Sequence, residues 1–255
     1  MTGVRQQVGS TVTVARLLFR ANLRARHRRT LLGYAWLAIP GVVLAITFTG
    51  LRKSALIMTG EVTLPYPLFV LSGMFLWQSF GDAVNLPIQQ LNQQRRFLSL
   101  VPASFQPVLI AALGEVVLNL AVRLAILFVT MLAFGLPAAT SWALVPLAGL
   151  GMVGFGFALG LIIAPFAQLF DDIAGLAAMA VTFAMLLSPV LYPIPPDSLL
   201  ALNPLAGLLM NVRDWMAGLP ASTGVWPVIL LTLGLLVPGW LLNRLSRPHI
   251  AARAH

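Results

Sequence analysis

Six long apolar stretches, nearly free of charge inside, dominate this chain: 31–51, 66–86, 105–134, 142–166, 173–194 and 225–242. A run of about 18 or more apolar residues is long enough to cross the hydrocarbon core as a helix. Charged residues make up 9% of the chain, against roughly a quarter in an ordinary soluble domain. The solvent for most of the chain is therefore bilayer. Each stretch is expected to be helical, because a backbone amide left unpaired in lipid costs several kcal/mol. The runs are apolar on every face, which excludes the alternating pattern of a β-barrel. The first run is not a cleavable leader: no small-residue cleavage site follows it, and five more runs do. The sequence predicts an all-α integral membrane protein with six transmembrane helices. Residues 1–30 form an amphipathic helix at the interface, 31–243 the transmembrane domain and 244–255 a basic tail.

Lysine and arginine set the direction of the chain. Arg5, Arg16, Arg20, Arg24, Arg26, Arg28 and Arg29 precede the first run. Arg95 and Arg96 lie between the second and third, and Arg244, Arg247 and Arg253 follow the last. The opposite side holds only Arg52, Lys53 and Arg213. Positive residues stay in the cytoplasm, so both termini are predicted to be cytoplasmic. The net charge of +9 then reads as topology, and no nucleic-acid binding is inferred from it. The same charges also suit anionic headgroups of membrane lipids.

Several chemistries are missing. There is no cysteine, which removes disulfides, thiolate metal sites and thiol catalysis. The single lysine, Lys53, lacks the glycines of a phosphate-binding loop. His27, His249 and His255 sit in basic terminal segments, and Asp171-Asp172 is the only acidic pair, so neither a metal site nor a catalytic constellation is predicted. Glu115, Asn119 and Arg123 recur every four residues and form a polar stripe on one face of the third helix. The stripe either lines a polar path or pairs with a neighbouring helix, since buried charges need partners. Asp82 reads as an interfacial or paired group.

The segments outside the runs are elaborate. In residues 4–29, Val8, Val12, Ala15, Leu18, Phe19 and Leu23 recur at helical spacing, with Arg16, Arg20, Arg24 and Arg28 on another face. That fits a helix lying in the cytoplasmic interface, with or without a docked partner. The loop 87–107 is long and polar, reading Gln89-Gln90-Leu91-Asn92-Gln93-Gln94-Arg95-Arg96-Phe97-Leu98 and then Val101-Pro102. Helix connections commonly need only two to eight residues, so this loop reads as a coupling element. The last outer loop carries Pro193, Pro195, Pro196, Asn203, Pro204, Arg213 and Asp214. Its apolar pieces, 199–202 and 205–212, are too short to span, and form either an interfacial cap or half-helices that dip into the membrane.

The order of these motifs resembles one family. Arg29-Thr30-Leu31-Leu32-Gly33-Tyr34-Ala35-Trp36, then Pro40, is similar to the start of the first span in type-2 ABC permeases that export O-antigen, capsule and teichoic acid. Tyr66-Pro67-Leu68-Phe69-Val70-Leu71-Ser72-Gly73 with Trp77 resembles their second span. Arg95-Arg96-Phe97 with Val101-Pro102 falls where they carry a coupling loop. Phe170-Asp171-Asp172-Ile173 resembles their Phe-Arg-Asp loop, with Asp171 in place of Arg. Ser188-Pro189-Val190-Leu191-Tyr192-Pro193, Leu202-Asn203-Pro204-Leu205 and Arg213-Asp214 complete the match.

The resemblance implies a permease without an ATP site of its own, and so not an enzyme. It implies a homodimer in the bacterial inner membrane. Two copies of a separate cytoplasmic ATPase, holding ATP and Mg, would drive lipid-linked polysaccharide outward. Coupling is expected at Gln93, Gln94, Arg95, Arg96, Phe97, Leu98, Val101 and Pro102, beside an interface helix bearing Arg16, Arg20 and Arg24. Ser188, Pro189, Tyr192, Pro193, Asn203, Pro204, Arg213 and Asp214 are expected at an outer gate. Tyr34, Trp36, Tyr66, Phe69, Phe75 and Trp77 are candidate channel linings, since pyranose faces stack on aromatic rings; membrane-interface anchoring explains the same residues. Arg26, Arg28 and Arg29 are placed to meet a lipid pyrophosphate, because arginine binds phosphate through two bonds, and topology alone accounts for them equally. The competing readings are a type-2 ABC permease for a drug or small lipid, an ion-coupled carrier using Glu115, Arg123 or Asp82, and a non-transporting scaffold.

Overall fold

A computed structural model describes the backbone of residues 2–29, 33–54, 62–94, 105–194, 198–221 and 224–253; side chains are described for the same residues except 2–10, 26–29 and 247–253. Among the described residues there are eight α-helices and no strand. They are α1 (Thr2–Arg29), α2 (Ile39–Lys53), α3 (Tyr66–Gln93), α4 (Gln106–Ala133), α5 (Leu144–Leu169), α6 (Asp172–Leu186), α7 (Pro204–Met216) and α8 (Trp226–Arg253). Short 3-10 turns at Gly33–Leu37, Thr140–Ala143 and Leu199–Leu202 lead into α2, α5 and α7.

Local sequence explains the ends. Pro40, Pro67, Pro107 and Pro204 sit in the first turn of their helices, where a missing N–H costs nothing. Gly135 and Gly218, at φ 73° and 77°, follow α4 and α7. That left-handed backbone ends a helix and suits glycine.

Among the described residues, three helices are both long and apolar enough to cross a membrane: Gln106–Ala133, Thr140–Leu169 with its leading turn, and Trp226–Ser246. Asp172–Leu186 is apolar and shorter. Two sequence expectations change. The first apolar run is not one continuous helix: the chain makes a 3-10 turn, with Gly33 at φ 49°, before α2 begins at Ile39. The fifth run also stops early, because α6 ends at Leu186 and residues 187–194 turn. Pro189 and Pro193 lie in that segment, and proline lacks the N–H that a continuing helix needs.

The core is built around α3, which is buried along most of its length. It touches α2, α4, α5, α6 and α7. Its closest neighbour is α5, and small residues allow that approach. A Cβ on Gly156 would fall 2.7 Å from the Phe80 carbonyl oxygen, and one on Gly160 would fall 2.5 Å from that of Val84. This four-residue spacing of small residues lets membrane helices pack backbone to backbone. On the far side of α5, Asn243 of α8 donates to the Leu161 carbonyl at 2.6 Å. The inner face of α1 packs on α4, with Ala15 buried and the Phe19 ring against Gly114. Arg16, Arg20 and Arg24 are exposed on the opposite face.

Candidate functional site

The stripe on α4 meets a matching set on α3. The Gln90 amide donates to Glu115 Oε2 at 2.9 Å. Asn119 Nδ2 donates to Asp82 Oδ2 at 3.0 Å, and Arg123 Nη1 donates to the same oxygen at 2.9 Å. Arg123 Nη1 also reaches Ser79 Oγ at 3.1 Å. The Arg123 side chain is only 4% exposed, whereas that of Asp82 is 30% exposed. A buried guanidinium needs a carboxylate and further bonds to offset its desolvation, and this seam supplies both. The pairing reading of the stripe is therefore the one the structure carries for all three residues.

Asp82 also faces an opening. It borders a cavity of about 420 Å³ with Gln78, Gly81, Asn85 and Arg123 along its floor. Trp36 and Leu37 of the 3-10 turn and Pro40 at the start of α2 form one wall, and Val181, Thr182 and Met185 of α6 form the other, with Trp77 between them. The Trp77 indole is held by a 3.2 Å bond to the Val181 carbonyl and tilts on Phe80 at 5.0 Å. Trp36 is half exposed. Trp36 offers a stacking face and the floor offers amide and carboxylate groups, the two things that a polyhydroxylated ring uses, while Trp77 is buried behind them. Gln78, Asn85 and Thr182 were not singled out in the sequence. The signal was present, since 78, 81, 82 and 85 fall on one helical face.

The six aromatic candidates separate. Trp36 and Trp77 line the cavity, and Tyr34 is half-buried in the turn before α2. Phe75 is buried against Gly41. Tyr66 and Phe69 are buried at the N-terminal end of α3 with their rings stacked at 6.0 Å.

That end of α3 gathers the residues assigned to the outer gate. The Arg213 guanidinium lies 3.4 Å from the centroid of the Phe69 ring. Its Nη2 donates to the carbonyls of Phe69 and Val190 at 3.2 and 3.1 Å. The Tyr66 hydroxyl donates to the Leu191 carbonyl at 2.9 Å. Gly73 makes room, since a Cβ there would lie 2.6 Å from the Val190 oxygen and 2.7 Å from Arg213 Nη2. Asn203 caps α7 through the Leu205 N–H and donates to Ser188 Oγ at 2.9 Å. Tyr192 bonds back to the Leu186 carbonyl. Pro189 is buried, and Pro193, Pro204 and Asp214 are half-buried nearby in the chain. A helical segment and a turning segment are thus fastened to α3 by one cation and several carbonyls.

Gln93 and Gln94 close α3, whereas Arg95, Arg96, Phe97, Leu98, Val101 and Pro102 lie outside the described residues. Arg26, Arg28 and Arg29 belong to the backbone of α1, and their side chains lie outside the described ones.

A buried polar seam, a partly open cavity and apolar helices of spanning length fit an integral membrane protein. The family model described as ABC-2 type transporter matches residues 13–197, more than half of the chain, and the chain belongs to that family of transporter membrane subunits. Among curated proteins it is similar to an O-antigen export system permease protein RfbA of Klebsiella pneumoniae, with 24% identity over 202 residues and 76% of each chain covered. A second Klebsiella pneumoniae protein of that name is 25% identical over 205 residues, covering 76% of each chain. One from Myxococcus xanthus is 24% identical over 210 residues, covering 77% of each.

Proposed function

We propose that this chain is the permease of an ATP-driven exporter that moves lipid-linked polysaccharide across the bacterial inner membrane. The observation that carries the reading is the family match, joined to relatives named for O-antigen export. The cavity between α2, α3 and α6 suits such a cargo: the exposed Trp36 offers a stacking face beside a floor of Gln78, Asp82 and Asn85. The polar groups of the α3–α4 seam are held in pairs, which favours a passive path over an ion-coupled carrier.

In this reading the membrane is crossed six times, by α2 with its leading turn, α3, α4, α5, α6 with the turning segment after it, and α8. Both termini are cytoplasmic, α1 lies in the inner interface, and residues 244–255 form the basic tail. Two copies of the chain pair with two copies of an ATPase that holds ATP and Mg. The ATPase docks on α1 and on the segment from Gln93 to Pro102. Arg26, Arg28 and Arg29 meet the lipid pyrophosphate, and the Arg213-fastened segments form the outer gate.

Purification from native membranes in mild detergent tests the class: a stoichiometric ATPase with a phosphate-binding loop is expected, and a preparation without any ATPase overturns the reading. For the coupling assignment, charge reversal at Arg95 and Arg96 is expected to uncouple ATP hydrolysis from export while insertion persists. Undiminished export in the double variant would sink that assignment. Depletion of the chain tests the cargo, with lipid-linked glycan expected to accumulate in the inner leaflet.

A further inference from the structure

The side of α2 away from the cavity carries a second recess of different chemistry. Val42, Ala45, Ile46, Thr49 and Lys53 fall at three- and four-residue steps, so they form a single stripe on one face of α2. With Leu71 of α3 and Phe134 after α4 they line a groove of about 470 Å³. The two threonines on its walls are satisfied within their own helices, Thr49 by the Ala45 carbonyl and Thr130 by that of Leu127. Neither hydroxyl proton is left to demand water, so the groove is apolar up to Lys53 at its end.

At its C-terminal end the groove runs into a more polar pocket of about 500 Å³, which shares Thr49, Lys53 and Pro67 with it and adds Arg52 and Tyr66. The Arg52 guanidinium rests 4.7 Å from the centroid of the Tyr66 ring, an attraction between a cation and the ring face that fixes its position. Lys53 is exposed beside it. No carboxylate lines either recess among the described residues. Two adjacent cations at the mouth of an apolar groove match an amphiphile with an anionic head and an aliphatic tail.

We propose that this face of α2 holds an anionic phospholipid of the outer leaflet, its phosphate on Arg52 and Lys53 and an acyl chain along the groove. The outer-leaflet placement rests on the orientation given under Proposed function. In that orientation positive residues are disfavoured on the outer side. Of the three that lie there, Arg213 is buried on carbonyls and a ring. Arg52 and Lys53 remain, their pocket lined by no carboxylate among the described residues, and a lipid phosphate is an anion that they can hold. Arginine offers it paired donors and lysine a point charge. The groove opens between α2 and α4, whereas the cavity assigned to glycan lies on the α6 side. For that reason the occupant is a phospholipid and not the carrier of the cargo.

The test is native mass spectrometry of the full chain in mild detergent, titrated with phosphatidylglycerol and, separately, with phosphatidylcholine. The expected result is a retained phosphatidylglycerol adduct that Arg52→Gln and Lys53→Gln each weaken about fivefold and the pair about thirtyfold, from about 1 kcal/mol per cation. Ile46→Trp, an exposed position that leaves the core alone, is expected to displace the same adduct by filling the groove. Arg244→Gln, at the other end of the bundle, is expected to leave it unchanged. Equal retention by the wild-type chain and the double variant overturns the site. So does an adduct whose mass is that of a polyprenyl diphosphate. The chain lacks cysteine, so Ser54→Cys reports the side directly: labelling by an impermeant maleimide from outside supports the leaflet. Labelling only from the cytoplasm overturns the orientation and the leaflet together, whether or not the cations bind lipid. Loss of binding specificity with outside labelling intact overturns the lipid site alone.

Discussion

On one side of α2 lies a cavity floored by amides and a carboxylate; on the other lies a groove walled by aliphatic groups. The helix itself barely distinguishes them, since its residues are apolar nearly all round. The difference comes from what stands opposite. The first turns of α3 supply Pro67, Leu68 and Leu71 to the groove, and the turns further along supply Gln78, Gly81, Asp82 and Asn85 to the cavity. A single apolar helix therefore separates a polar recess from one fit for hydrocarbon. At the floor of the polar recess Arg123 and Asn119 hold Asp82 in place.

The sharpest way to break that arrangement is to remove the cation. Arg123→Met would leave the Asp82 carboxylate, 30% exposed at the cavity, with the Asn119 bond but without its charge partner. Loss of one member of a fully buried pair costs about 3–5 kcal/mol; Asp82 is partly exposed, so a smaller loss is expected, read as a lower melting temperature of the solubilised variant. The double variant with Asp82→Asn is expected to regain much of that loss, and failure to do so would mean that the ion pair is not what holds the seam. A smaller effect is expected for Gly73→Ala, whose Cβ would collide with the Val190 carbonyl and with Arg213. Overpacking of this kind costs about 1–3 kcal/mol, and thermal unfolding reads it. The smallest effect on stability belongs to Trp36→Ala, because Trp36 is 53% exposed. Exposed substitutions usually stay within about 0.5 kcal/mol, yet export is expected to fall severalfold through loss of one stacking wall. Undiminished export with unchanged melting would remove the cavity from the path of the cargo.

The two recesses were unequally visible beforehand. Glu115, Asn119 and Arg123 announced a polar stripe through their spacing alone, because a helix places every fourth residue on one face. Asp82 reads as an interfacial or paired group, but Ser79 looks like an ordinary polar residue and Gln90 like part of the coupling loop until α3 is laid against α4. The aromatic candidates were grouped by their nearness in sequence. Packing divided them: Trp36 and Trp77 border the cavity, Phe75 fills space beside Gly41, and Phe69 lies under Arg213. The first and fifth apolar runs were predicted as unbroken helices, because hydropathy averages over a window and does not feel a single glycine at positive φ or a proline pair. The groove gave no warning. Its stripe on α2 is one of several apolar stripes that the same helix offers.

Sequence alone determined the solvent of this chain, the helical state of its apolar runs, the family it belongs to and the polar face of α4. Those properties depend on composition, spacing and ordered motifs along one dimension. Only the tertiary structure decided which carbonyls Arg213 would hold, where small residues would let α5 approach α3, and which side of α2 would be polar. Each of these depends on contacts between residues far apart in sequence, as with Arg213 and Phe69 or Asn119 and Asp82. In an apolar medium such contacts are strongly selected, because every polar group that lacks one costs several kcal/mol.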